Sequence, residues 1–134
     1  MNGSEIEVSR ALLYLEKSVE EHHLLLERLE NLKEIQGVDS SEVERVLKEM
    51  RKTRQEVYEQ FRIIVSNIEN VTNRAIREEA LGIINYYYAV MLNDEKDALE
   101  TLKSKPEIEH LRAEIDKDLL MISKISSLIS KFIY

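Results

Sequence analysis

Two histidines stand side by side in the stretch EEHHLLLE, residues 20–27. Glu20 and His23 have the Glu-x-x-His spacing from which carboxylate-bridged di-metal centres are built in helical bundles, because residues three apart share a helix face. A second such pair, Glu107 and His110, lies near the other end of the chain. One centre would need both pairs at one height. Counting back from the expected turns, His110 falls beside about residue 33, roughly 15 Å from His23 at the helical rise. The pairs do not converge, and no metal ligand is assigned.

Other catalytic patterns are missing. There is no glycine-rich phosphate loop, no Gly-x-Ser-x-Gly elbow and no His-Glu-x-x-His. The serines of ISKISSLISK sit on an expected helix with no partnering base. The absence of cysteine removes disulfides, thiolate metal sites and a Cys nucleophile. The chain therefore reads as non-enzymatic, with no catalytic residue and no cofactor.

The stretch LEKSVEEHHLLLERLENL, residues 15–32, resembles the first histidine helix of hemerythrin-like proteins. That likeness would imply iron held by several histidines spread over the helices. This chain has only His22, His23 and His110, so no iron site is assigned.

The elements that would position these residues are helices. The 134 residues include three Gly, one Pro and no Trp, against 34% charged and 43% apolar residues. So few turn formers suit long helices and leave too little punctuation for a β or α/β domain. Ser4 with Glu7 forms a capping-box pattern opening a first helix, and Gly37 offers its stop. Ser40 or Ser41 suits the cap of a second helix, Thr72 or Asn73 that of a third, and Pro106 the first turn of a fourth. An alternative break, at Asn93-Asp94, would shorten the last hairpin. The break near residue 71 divides the chain evenly. The expectation is an all-α, up-down-up-down four-helix bundle over 1–134, with helices near 4–36, 40–70, 73–103 and 106–134.

Each helix carries a seam with coiled-coil-like spacing of about 3.5 residues. It reads Val8, Leu12, Leu15, Val19, His22, Leu26, Leu29 in the first helix, and Val43, Leu47, Met50, Arg54, Val57, Phe61, Ile64, Ile68 in the second. In the third it reads Leu81, Ile84, Tyr88, Met91, Ala98, Leu102, with Glu95 as an interruption. In the fourth it reads Ile108, Leu111, Ile115, Asp118, Ile122, Ile125, Ile129, Phe132. Folding the chain about its turns brings the polar seam positions His22, Arg54, Tyr88 and Asp118 to nearly one height. They form a candidate buried polar layer; at 3.6 spacing Thr53 and Leu119 would instead turn inward.

The stretch LGIINYYYAVML, residues 81–92, has no charge on any face, and the last half-helix is nearly as apolar. A helix apolar all round is normally covered on more than one side. Tyr86, Tyr87, Val90, Leu128, Phe132 and Tyr134 are therefore candidate interface residues, in a homodimer first and against another protein second. The net charge of −7, with no strongly basic segment, disfavours nucleic acid. The longest uncharged run, Leu81–Asn93, is too short to span a bilayer. MNGSEIEVSR has no basic region followed by an apolar run, so a cytoplasmic location is expected and Asn70-Val-Thr72 is read as a chance sequon.

Overall fold

The computed structural model describes residues 1–133 and shows an all-α four-helix bundle. The first helix spans Gly3–Lys33 and the second Ser40–Asn67, the latter running into a short 3-10 turn at Ile68–Asn70. The third, residues 74–103, joins Arg74–Tyr86 and Leu92–Lys103 through a π turn at Tyr87–Met91. The fourth begins as a 3-10 turn at Pro106–Leu111 and continues as Arg112–Ile129, ending in a 3-10 turn at Ser130–Phe132.

Local chemistry sets these ends. Asn2, not Ser4, caps the first helix: its side chain accepts from the Glu5 amide at 2.8 Å, while the Glu5 carboxylate accepts from the Asn2 amide. The capping box is thus shifted by two residues from the Ser4–Glu7 expectation. Asp39, rather than Ser40 or Ser41, caps the second helix by accepting from the Ser41 amide at 3.0 Å. Asn73 caps the third through the Ile76 amide. Gly37 has φ +71, a conformation that costs other residues a Cβ clash, and it turns the chain after the first helix. Pro106 lies in the first turn of the fourth. Asn93 and Asp94 lie inside the third helix; its interruption is the π turn, where one extra residue per turn re-phases the segment beyond it.

Direction alternates along the chain, but chain order does not give neighbour order. The first helix packs on the second and third, and the fourth packs on the same two. First and third are thus neighbours running the same way, and residues 68–73 cross the bundle's diagonal. A carboxylate fastens that crossing: Glu5 accepts from the Thr72 amide at 2.9 Å, the Asn73 amide at 2.6 Å and the Thr72 hydroxyl at 3.1 Å. These bonds hold the Glu5 carboxyl down at about 2.

The core is one continuous cluster along the axis. Val43, Leu47, Met50, Val57, Phe61, Ile64 and Ile68 of the second helix and Ile108, Ile115, Ile125 and Ile129 of the fourth are fully buried. No helix among the described residues is long and apolar enough to cross a membrane.

Candidate functional site

Midway along the bundle, all four helices put a polar side chain into the core. The four are His22, Arg54, Glu95 and Asp118, and all are buried. Arg54 is the hub. Its Nε donates to Glu95 Oε1 at 2.9 Å and its Nη1 to Asp118 Oδ1 at 2.8 Å, tying the second helix to the third and fourth. Glu95 Oε2 lies 2.7 Å from His22 Nε2, which brings in the first helix. Arg51, one turn before Arg54 and a third exposed, closes the outer end with a two-pronged grip on Asp118, both contacts 2.9 Å. The planar guanidinium suits such paired bonds to a carboxylate.

The inner end terminates on Thr53. Its hydroxyl lies 2.6 Å from His22 Nδ1 and 3.1 Å from the Met50 carbonyl. A hydroxyl that rotates either donates to Nδ1, or accepts from it while donating to Met50. The imidazole therefore finds partners for both nitrogens whether it carries one proton or two.

The electrostatics come from burial and pairing. Burial alone would push the Glu95 carboxyl up; the charges of His22 and Arg54 and their hydrogen bonds outweigh it and hold the group at about 2. Arg54 loses by burial and gains more from Glu95 and Asp118, so its guanidinium is held charged more firmly than in water. Arg51 is raised mainly by its hydrogen bonds to Asp118.

Tyr87 packs against this layer, its ring 6.4 Å from the His22 ring and edge-on to Phe61 at 5.2 Å. Its hydroxyl is the buried side-chain polar atom without a hydrogen-bond partner among the described residues. Burial and the nearby Glu95 charge raise its ionisation well above the ordinary tyrosine range, so it stays neutral.

His22, Arg54 and Asp118 meet in this layer: Glu95 joins His22 to Arg54, and Arg54 reaches Asp118 directly. Tyr88 does not join them: it is half-buried at the edge of the core, and the neighbouring Tyr87 faces inward instead. The reason lies in the third seam, which runs Ala80, Ile84, Tyr87, Met91 rather than Leu81, Ile84, Tyr88, Met91. Arg54 and Thr53 are both inward, since one reaches the third and fourth helices and the other faces the first. Glu95, read as an interruption of the seam, is the bridge. The signal was present, because a carboxylate at a seam position needs a buried cation, and Arg54 is the lysine or arginine that stands on a seam.

The interface candidates separate. Tyr87 is fully buried inside its own bundle and offers no outer surface, which corrects its assignment. Tyr86 and Val90 are exposed. Leu128 and Phe132 are half-buried against the core, and Tyr134 lies outside the described residues. Glu20 and His110 are exposed, and His23 pairs with Glu27 at 3.0 Å. No group of three or more potential metal ligands clusters among the described residues.

Two surface grooves flank the layer. One, of about 580 Å³ between the first and second helices, reaches Thr53; another, of about 370 Å³ between the second and fourth, reaches Arg54 and Asp118. The hydrogen-bonded chain from Thr53 to Arg51 thus runs across the bundle between them. Both of its carboxylates are held between nitrogen donors at hydrogen-bond distance, so its chemistry is that of a closed ionic clasp. Comparison with protein families, curated proteins and solved structures finds no match for this chain.

Proposed function

We propose that this is a non-enzymatic helical-bundle protein that acts through protein–protein contact, as a cytoplasmic adaptor, scaffold or small subunit that first pairs with its own copy. The observation that carries this reading is apolar surface beyond what the core uses. Leu13, Tyr14, Leu24, Tyr86, Val90 and Leu120 are all large and all exposed, while the core is complete without them. Single exposed apolar residues are ordinary; here they recur on three helices, and on the third Tyr86 and Val90 stand one turn apart on the same outward face. The closed clasp supports the same reading, since its side chains are bonded to one another and leave none free to engage a substrate.

Native mass spectrometry of the purified protein at micromolar concentration tests this. A dimer without adduct is the expected result. A protein that stays monomeric and retains no partner at any accessible concentration would overturn the reading. An adduct of metal or small-molecule mass would favour a ligand held near His22 instead.

A further inference from the structure

We propose that two copies pair through the outward face of the first helix, antiparallel, about a two-fold axis passing close to residues 15 and 16. This rests on the proposed self-association and names its surface.

The first helix buries Val8, Leu12, Leu15, His22, Leu26 and Leu29. At 100° per residue, Ile6, Leu13 and Leu24 lie within about 20° of one another on the opposite side of the helix. All three face solvent, at 44%, 71% and 54% exposure. The spacing of seven and eleven residues keeps them on one line, with Arg10, Lys17 and Glu20 at the positions between them.

The residues beside the stripe say what covers it. Under a two-fold axis, a residue at position i meets the copy's residue j, and j meets i. For an axis at residue 15 or between residues 15 and 16, pairs whose numbers sum to 30 or 31 come level, within about one residue's rise of 1.5 Å. Ile6 then stands opposite Leu24 of the copy. Arg10 stands opposite Glu21, and Tyr14 opposite Lys17. Leu13 packs beside the aliphatic stem of Lys17 at the centre.

The flanks match as well as the heights. Arg10, Tyr14, Lys17 and Glu21 all lie on the same side of the apolar line, and in an antiparallel pair like flanks face each other. On the opposite flank Glu16 meets its own copy close to the axis, a like-charge contact; the pairs named above are complementary: apolar with apolar, cation with carboxylate, ammonium with an aromatic face. Symmetry doubles each one. In the single chain Arg10 and Lys17 make only loose contacts, 3.5 Å to Glu7 and 4.0 Å to Glu21, so both are free to re-pair. The first helix runs 31 residues, which at 1.5 Å each is about 46 Å, long enough for this contact to occupy its N-terminal two-thirds.

A charge swap read by sedimentation velocity tests this pairing. Arg10→Glu places like charges at both symmetric contacts and should weaken the dimer about tenfold or more at low salt. Glu21→Arg should do the same. The double variant R10E/E21R, with the charges exchanged, should return to within a few-fold of wild type. Leu13→Glu should dissociate the pair outright, and circular dichroism should show each variant as helical as the parent, because all three side chains are exposed. A wild-type dimer untouched by these variants overturns the surface and leaves self-association standing, with Tyr86→Glu as the variant that then dissociates it. A wild-type monomer overturns both. Failure of the double variant to restore binding, with both single variants weakened, overturns the antiparallel register.

Discussion

At the residue scale, the cost of the clasp lies in what each member leaves behind. Removing Glu95 leaves the buried Arg54 guanidinium with Asp118 as its one carboxylate partner in the core and leaves His22 Nε2 with none. Breaking one partner out of a buried ion pair typically costs about 3–5 kcal/mol, so Glu95→Ala should lower the denaturant midpoint by a large part of the protein's stability. Urea unfolding followed by helicity measures it. Tyr87→Phe should behave oppositely. It deletes a buried hydroxyl without a partner and keeps the ring against Phe61, so stability should hold or rise by about 1 kcal/mol.

Acid titration belongs to the same scale. The Glu5 and Glu95 carboxyls are both held at about 2 in the folded chain, below the value of 4.5 they take when unfolded. A depressed carboxyl contributes its full stabilisation above the unfolded value and loses it as pH falls towards the folded one. These two carboxyls should therefore make the melting temperature drop between about pH 4.5 and pH 2. Glu5→Gln should remove part of that slope and lower the neutral-pH melting temperature, because the amide meets the Thr72 and Asn73 donors less well. A variant with an unchanged acid limb would show that the crossing does not depend on the Glu5 charge.

At the scale of elements, two glycines make opposite predictions. Gly37 sits at φ +71 with no atom within 4 Å of an added Cβ, so Gly37→Ala meets only backbone strain, about 1–2 kcal/mol of destabilisation. Gly82 lies within the third helix, exposed and also without neighbours, so Gly82→Ala should stabilise by about 0.5–1 kcal/mol. Thermal melts of the two variants should shift in opposite directions.

The elements also show where the sequence was legible. In the second and fourth helices the spacing of three and four is unbroken, so the seam read from residue types names the buried face almost residue for residue. The third helix defeats that reading because its period changes partway. A π turn at Tyr87–Met91 re-phases the rest of the helix and turns Leu92 and Leu99 inward. A constant period has no place for this step, and it put Tyr88 where Tyr87 stands. The end caps slipped for a different reason. Asn2, Ser4, Asp39, Ser40 and Ser41 are all competent caps, and only the tertiary contact of Glu5 with the crossing at Thr72 and Asn73 selects among the first pair.

For the whole molecule, the clasp raises the question of why four helices with apolar seams keep charges at their middle. The seams repeat at nearly constant spacing, so sliding one helix by a turn or a heptad would still bury apolar side chains. The clasp forbids the slide. Arg54 reaches Glu95 and Asp118 at once only in one register, and His22 must meet Glu95 and Thr53 at the same height. The diagonal crossing makes this need sharper, because parallel neighbours have no tight turn to set their relative height. Replacing the group together (His22→Leu, Arg51→Leu, Arg54→Met, Glu95→Leu, Asp118→Leu) removes every charge of the layer without stranding one there. Buried ion networks replaced by well-packed apolar residues often gain about 1–4 kcal/mol, so the melting temperature should rise. The register should loosen at the same time, with broadened or duplicated amide resonances for the first and third helices in nuclear magnetic resonance spectra. A variant that is both more stable and as sharply resolved as the parent would show that the apolar seams and the Glu5 fastening already fix the register, and that the clasp is retained for some other purpose.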